Sequence, residues 1–531
     1  MVNAIQIDLR DNVAMVTEPV EAGQEILVMA TGRIVKAIEP FNAGHKVVLA
    51  PLAAGDTVLK YGIPIGRMMT PVDVGGWVSE HNLEDITEEL LAIYCREFRD
   101  GLRKVKAFPS KDEGINPRTI MAYPRKKGVF GVRNHIMVIS TTPETNRAAE
   151  AISDATDCTW FVCNKTKLEE GKISEYTHNA MIYTGRNPNI YAVLVLGTDS
   201  GVADSKAICS AISETEKPVT HIIFGQDEKQ HIAQGISIAK EFQKEAAQIK
   251  REPVSMDGFG LAVHCSGSDW TTALNGNASL GVAADHVVAN NGKVFMTEWM
   301  EWSGSQHLMA EKCASYELGI ELLDNLESVR ETVLRETGKP VEYMNPAPGN
   351  KEGGLTTLVE KSVGTIKKVG NTQIKGLLNY CEQPTAPGVW IPKSDTVWPM
   401  STSIYSSFAG AHVNVHVTGL GWLYFKVAYL PGIRVTGNPE TFKNPEFKLD
   451  FNAGMMFDGK SLDEVGKLLF EYIVKVAEGE ESESEKSKSG AFNMYYYTED
   501  EFGENTDRNQ MLPCAVYEYD EKFKAYTDRV K

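Results

Sequence analysis

The chain has 531 residues, a formal net charge of −17 and 42% hydrophobic residues. That length exceeds what one core serves, so two or three domains are expected, and the apolar content is ample to fill them. The acidic balance argues against a nucleic-acid surface, no apolar run approaches the roughly 18 residues of a membrane span, and no basic-then-apolar signal region opens the chain, so a cytoplasmic protein working on small molecules is expected.

Residues 1 to 83 alternate short apolar runs with Gly and Asp turns, as in Ile26 to Met29, Val47 to Ala50 and Val58 to Tyr61. This predicts a small β-rich unit whose histidines fall in loops. From Leu83 to Ala107 the positions Ile86, Leu90, Leu91, Tyr94 and Phe98 follow helical spacing, with acids early and bases late. Residues 84 to 118 are therefore read as a helical linker.

Residues 119 to 390 repeat an apolar strand, a Ser/Thr/Gly turn and a helix-like run. Ile136 to Ser140, Ala192 to Gly197 and Val219 to Phe224 are the clearest strands, and a helix is expected from about His231 to Lys250. This alternation predicts parallel α/β layers with ligands at the carboxyl ends of the strands. None of the turns is a G-x-G-x-x-G or Walker loop, so nucleotide binding has little support.

Residues 391 to 531 are assigned to a carboxy-terminal α/β part with an acidic extension. Ser461-Leu-Asp-Glu464 is a capping box that predicts a helix to about Ala477. Glu480 to Ser489 reads as a charged, mobile surface loop, and the last forty residues, with Tyr495-Tyr-Tyr497, as an extension that packs on the body or a neighbouring subunit. The eight cysteines contain no C-x-x-C pair and read mostly as buried thiols. Odd spacing on one strand puts Cys158 and Cys163 on opposite faces.

The run Asn345-Pro-Ala-Pro-Gly-Asn-Lys-Glu-Gly-Gly-Leu-Thr-Thr-Leu-Val-Glu-Lys-Ser-Val-Gly364 suits no regular core element at its start, whereas Thr356 to Lys361 opens a helix. A glycine-rich loop entering a helix points backbone N–H groups at an anion, and Lys351 and Lys361 add full charges. The alternative is a lysine-bearing surface loop.

That run belongs to a collinear set. Asp11 to Ala14, Gly44-His-Lys46, Lys60 to Gly66 and His81-Asn82 resemble the small amino-terminal SAF (β-clip-like) domain of altronate and galactarate dehydratases. Gly131-Val-Arg-Asn134, Cys265-Ser-Gly-Ser-Asp269, Thr297-Glu298 with Glu301, the Asn345 to Gly364 run, Pro431 to Asn438 and Asp450 to Gly454 resemble the larger catalytic part of the same family.

The resemblance implies a metal-dependent lyase that dehydrates a sugar acid to a 2-keto-3-deoxy acid. It implies an α/β architecture, with a larger parallel region of two subdomains behind the β-rich domain. A divalent metal, Fe²⁺ or Mn²⁺ with Mg²⁺ as a further option, would steady the enediolate-like intermediate. His45 and His81 are the nominated ligands; Ser79 stands where relatives carry another His, and Glu80 beside it offers a carboxylate as a substitute ligand. His45, His81, Glu298, Glu301 and Asp269 are the candidates for catalysis, although Ser268 or Asp269 would also serve as a helix cap. Arg133 beside Asn134, with Ser266, Ser268, Lys351 and Lys361, would bind the substrate, and an interdomain salt bridge is the other reading of Arg133. Arg125 and Arg434 are weaker candidates for the carboxylate. A homo-oligomer is also expected.

The chain also departs from the family pattern in its cysteine-bearing loops and in one glycine turn. Ser140 to Pro143 and Gly197 to Gly201 stand at strand ends where relatives carry Cys, with Tyr176 to Asn179 a possible remnant of a third such segment. His416 to Trp422 replaces a Thr-Thr-Gly-Arg-Gly-like turn and loses an arginine. These changes leave room for a lyase expelling another β-group, such as sulfite from a hydroxysulfonate, or for a non-catalytic sugar-acid-binding or structural protein.

Overall fold

The computed structural model describes residues 1–108, 117–162, 168–169, 172–173, 175–200, 203–393, 399–421 and 427–487. Cys163 and the extension from 488 onward, with its three tyrosines, lie outside the described residues.

The amino-terminal unit is all β, as expected. Six short strands between Val2 and Val78 form one sheet, and Thr57–Lys60, Ile63–Met68 and Leu83–Glu84 form a second. Alternate residues such as Ile26 and Val28 point inward to join Ala4, Val16 and Val47 in its core. Helix α1 (Thr87–Arg99) follows. It stops eight residues short of Ala107 because Asp100 leads into Gly101 at φ +73°, a left-handed stop that a side chain resists.

The second unit is a parallel sheet of four strands, β1 (His135–Ser140), β2 (Thr159–Phe161), β3 (Ile190–Thr198) and β4 (Val219–Phe224), in the order β2-β1-β3-β4. The helix after it runs Glu228–Gln248. Strands Thr119–Pro124 and Glu252–Ser255 pair antiparallel where the chain enters and leaves this unit, forming its neck.

The third unit is a seven-stranded, wholly parallel sheet. Its strands are β5 (Gly260–Cys265), β6 (Lys293–Met296), β7 (Ile374–Leu378), β8 (Gly388–Pro392), β9 (Val413–Thr418), β10 (Gly432–Thr436) and β11 (Phe451–Asn452), in the order β7-β8-β6-β5-β9-β10-β11. A boundary at 390 would cut through β8, so that division is corrected: the break between α/β units falls at the neck, because β9 returns to the far side of β5 and makes one sheet of both halves.

Helix α2 (Asn277–Ala289) and helix α4 (Leu462–Ala477), the latter opened by the expected Ser461 capping box, cover one face of this sheet. Leu280, Val287, Leu469 and Ile473 are fully buried there with Val263 and Val415. Each such side chain contributes about 1.5–3 kcal/mol of transfer free energy.

The charged tail of this unit is not a loose loop up to residue 487. Glu483–Lys486 is a helical turn, Ser484 accepts from Gly432 N at 3.1 Å, and Glu485 binds Arg133 at 2.6 Å. Among the described residues no helix is long and apolar enough to cross a membrane.

Candidate functional site at the strand ends of the third unit

Strand order decides where a site forms in a parallel sheet. After β5 the chain builds β6, β7 and β8 on one side and then crosses to place β9 on the other, so the switch point lies at the carboxyl ends of β5 and β9. Connections leave that point in opposite directions and open a crevice. Cys265-Ser266-Gly267-Ser268-Asp269 and His416-Val417-Thr418 stand there. Ser266 and Gly267 are half-buried while their neighbours are buried. Ser266 Oγ lies 2.6 Å from His416 Nε2, and Ser268 Oγ is buried without a partner.

Under Cys265 sits a closed cluster of charge. Lys368 Nζ donates to Cys265 Sγ at 3.0 Å and binds the Glu298 carboxylate, whose two oxygens also accept from Cys265 N at 3.1 Å. Lys368, Glu298 and Cys265 are at most 2% exposed. Burial works against the Lys368 charge, but Cys265 and Glu298 outweigh it and hold the ammonium above the ordinary lysine range. Glu298 is two residues past the end of β6 and adopts φ +55°, which turns its carboxylate back toward β5. A non-glycine residue in that region costs free energy and is held by its surroundings, as at many functional sites.

On the other side of the same strand end, His264 Nδ1 is 3.9 Å from Glu298 Oε1 and 3.4 Å from Thr297 Oγ1. His264, His416 and Arg434 are in register across β5, β9 and β10. Burial holds both imidazoles in their neutral form, His416 down at about 3 and His264 well below the usual value. His264 Nε2 is a further buried ring nitrogen without a partner.

The Asn345 to Gly364 run folds over this crevice. Pro348–Glu352 forms one helical turn, and helix α3 (Leu358–Thr365) begins where Thr356 to Lys361 was expected to open one. Lys361 Nζ lies 2.6 Å from Glu301 Oε2 and donates to Asn345 and Asn350, whose amide in turn donates to Ser268 O at 2.8 Å. Buried Lys361 and half-buried Glu301 thus make a second pair, and the Glu301 charge is felt at both Glu298 and Cys265.

The helix entrance itself is occupied. Leu358 N donates to Asp85 Oδ2, Val359 N to Thr87 Oγ1 and Glu360 N to the Thr357 cap, so these amides are taken by the protein and not held for an anion. Lys351 is likewise paired, with Glu80 at 3.2 Å.

The β-rich unit is docked on the same run. Gly44, at φ +82°, has no room for a Cβ, which would stand 2.1 Å from Trp270, and Gly354, at φ +87°, backs onto Gly44 O. Below this contact Lys46 and Lys60 both bind Glu360, at 3.0 and 2.6 Å, with all three side chains buried. Burial alone would raise Glu360, but the two ammonium groups outweigh it and bring its pKa down to about 2.

His45 and His81 come together against one indole, with ring centroids 5.3 and 4.6 Å from Trp77. His45 Nε2 donates to Glu352 O at 3.1 Å, which leaves the buried Nδ1 as a lone pair without a partner. His81 Nδ1 is 2.5 Å from Ser79 Oγ. Glu80 is turned to Lys351. Among the described residues, no three His, Cys, Asp or Glu side chains converge as metal donors. The nominated set of His45, His81 and Glu80 therefore does not converge on one ion in this arrangement: His45 Nε2 is bonded to Glu352 O, His81 Nδ1 faces Ser79 within its own unit, and Glu80 is turned to Lys351.

Three further expectations are corrected. Arg133 binds Glu485 through both Nε and Nη2 and the carbonyls of Val132, Val476 and Glu480, so it is the interdomain salt bridge and not a substrate clamp. Asn134 donates to Ala246 O and accepts from Arg125, bracing the neck. Asp269 accepts from Thr271 and Thr272, backbone and hydroxyl alike, and from Asn438, which makes it the cap of the segment entering α2.

Lys368 and His264 were missed. Lys367-Lys368 reads as a solvated pair in the sequence, and only the packing of its turn beneath β5 and β6 reveals a buried ammonium.

The comparisons with known proteins cover most of the chain. The family models described as Altronate/galactarate dehydratase SAF domain, as D-galactarate dehydratase/Altronate hydrolase, second domain, and as D-galactarate/Altronate dehydratase, C-terminal, match residues 2–86, 122–247 and 256–499. The chain is 27% identical to altronate dehydratase of Escherichia coli (strain K12) over 91% of its own length and 97% of that protein. It is 25% identical to altronate dehydratase of Bacillus subtilis (strain 168) over 92% and 97%. It is 28% identical to (2R)-sulfolactate sulfo-lyase subunit beta of Chromohalobacter salexigens over 70% and 95%. The chain belongs to the altronate/galactarate dehydratase family, as a divergent member.

Proposed function

We infer that this protein is a lyase that removes water from a sugar acid, an aldonate or aldarate of the altronate or galactarate type, to give a 2-keto-3-deoxy acid. The observation that carries the reading is the placement of two Lys–Glu pairs, buried Lys368–Glu298 and the more open Lys361–Glu301, at the switch point of a parallel sheet in a chain of this family.

A hydroxy acid is a weak carbon acid, so its dehydration needs a base beside a concentration of fixed positive charge. Glu298 takes the proton from the carbon next to the substrate carboxylate, and the C–H electron pair moves into the carboxylate as an enediolate. Lys368 and Lys361 stabilise that negative charge. The electrons then return to form the C=C bond as the C–O bond to the β-hydroxyl breaks, and Lys361, the more open of the two lysines, gives the leaving oxygen its proton. Water departs, and the enol relaxes to the ketone. The unpartnered Ser268 Oγ and the Ser266–His416 pair supply hydrogen bonds to the remaining hydroxyls. No step is routed through a metal, because the residues nominated for one do not converge.

The likeness to a sulfo-lyase subunit favours a second reading, in which the same enediolate expels sulfite from a hydroxysulfonate. Incubation with a panel of aldonates, aldarates and hydroxysulfonates separates the two. Keto acid without sulfite from a sugar acid is expected. Keto acid with sulfite would move the assignment to the second reading, and no product from any member would overturn both.

A further inference from the structure

One large cavity lies away from the carboxyl ends of the strands. It measures about 920 Å³ and opens at the opposite, amino-terminal edges of both parallel sheets, where the second and third units face each other beside the neck. Pro188 and Tyr191 bring the start of β3 to it, Lys217 and Pro218 the start of β4, Lys293 the start of β6 and His412 the approach to β9.

Its charge is opposite to that of the chain. Six basic side chains against three acidic ones line it in a protein of net charge −17. Two of the acids are already neutralised on the rim, Glu214 by Arg186 and Glu216 by Lys127, and only Asp257 remains. Lys127 and Glu216 both hold left-handed backbones, at φ +58° and +60°.

The inner cations have no such partner. Arg125 donates to the carbonyls of Pro188 and Arg133 and to Asn134, between the rings of Tyr123 and Tyr191. Lys217 donates to the carbonyls of Gly185 and Asn187 at 2.8 Å, and Lys293 has one long contact, 3.4 Å to Pro384 O. No carboxylate among the described residues forms an ion pair with any of the three. Burial lowers the pKa of each, Arg125 to about 10, and a nearby carboxylate, Asp257, partly offsets this at Lys293 alone. Partly desolvated cations without a counterion are costly unless a ligand supplies one.

We propose that this cavity is a second ligand site, for a small polyanion of two or more negative charges held by Arg125, Lys217 and Lys293. Phosphate-bearing and polycarboxylate ligands share that chemistry. The site is separate from the lyase chemistry and does not depend on it.

Calorimetric titration of the full-length protein at low salt with pyrophosphate, ADP, citrate and, as a monovalent control, acetate tests it. At least one polyanion is expected to bind with one-to-one stoichiometry, and acetate is not. Lys293→Met is expected to weaken that binding roughly tenfold or more. The same variant is expected to leave the KM for the sugar acid unchanged. Binding of the phosphate compounds alone, or of citrate alone, identifies the source of the charge. Lys217→Met repeats the test, but it removes two bonds to backbone carbonyls, so Lys293→Met carries it if that variant fails to fold. Absence of binding by every polyanion, or equal binding by wild type and Lys293→Met, overturns the proposal.

Discussion

At the scale of single residues, the charge of Lys368 decides the behaviour of the cluster around it. Its ammonium neutralises Glu298 and touches Cys265, all three of them buried, so removing it leaves an unpaired buried carboxylate. Lys368→Met is expected to lower kcat by about 10²–10³, the range seen when one preorganised electrostatic group is lost, and to shift Glu298 into its protonated form. The measurement is the pH profile of kcat; a profile and rate equal to the parent's would make Lys368 structural. His45 tests the metal question in the same way. His45→Ala removes the bond to Glu352 O and the contact with Trp77, so stability should fall by about 1–2 kcal/mol. Metal content per chain, measured by elemental analysis, should not change. A drop in bound metal would return His45 to the ligand set. Residues of this kind were unevenly legible in the sequence. Glu298, Glu301 and Lys361 stood inside recognisable runs, whereas Lys368 did not. Arg133 stood inside one too, and it proved to bind Glu485, a residue more than 300 positions away that no local pattern could pair with it.

At the scale of elements, what was legible followed periodicity and capping. The helix Leu462–Ala477 began and ended where Ser461 and Ala477 indicated, because its capping box and apolar stripe agree. The helix near His231 began three residues earlier, at Glu228, because Asp227 caps it. The segment after Glu480 was misread because charge and low complexity look like solvent exposure until Arg133 and Gly432 are placed beside it. Asp269 belongs to this scale. As a cap it satisfies two backbone N–H groups and two hydroxyls, so Asp269→Ala should cost about 2–4 kcal/mol, read as a fall in Tm. Asp269→Asn should keep most of the activity per folded molecule. Abolished turnover in a fully folded Asp269→Asn protein would restore it to the chemistry.

At the scale of the whole molecule, the β-rich unit closes over the third unit through one buried charge triad. Glu360 ionises more easily in the folded protein than the ordinary value of 4.5, at about 2, so its contribution is present above pH 4.5 and is lost as pH falls toward 2. Glu360→Gln leaves Lys46 and Lys60 buried without a countercharge and is expected to cost about 3–5 kcal/mol at pH 7. Denaturant titrations at several pH values should show the gap between parent and variant narrowing as pH falls below 4.5. A gap independent of pH would mean that Glu360 is not an ion in the folded state. The parallel α/β architecture was legible in the strand and turn alternation, but the order of the strands was not. The seven-stranded sheet joins residues on both sides of position 390, and its switch point between β5 and β9, which locates the candidate site, exists only once distant segments are paired. The most direct check on that location is the fate of the proton next to the substrate carboxylate, followed by NMR in D₂O with wild type and Glu298→Gln. Wild type should release that proton to solvent as keto acid forms. A folded Glu298→Gln should be slower in both by about 10²–10⁴. Proton release and keto-acid formation at the wild-type rate in Glu298→Gln would contradict the assignment of the chemistry to this cluster.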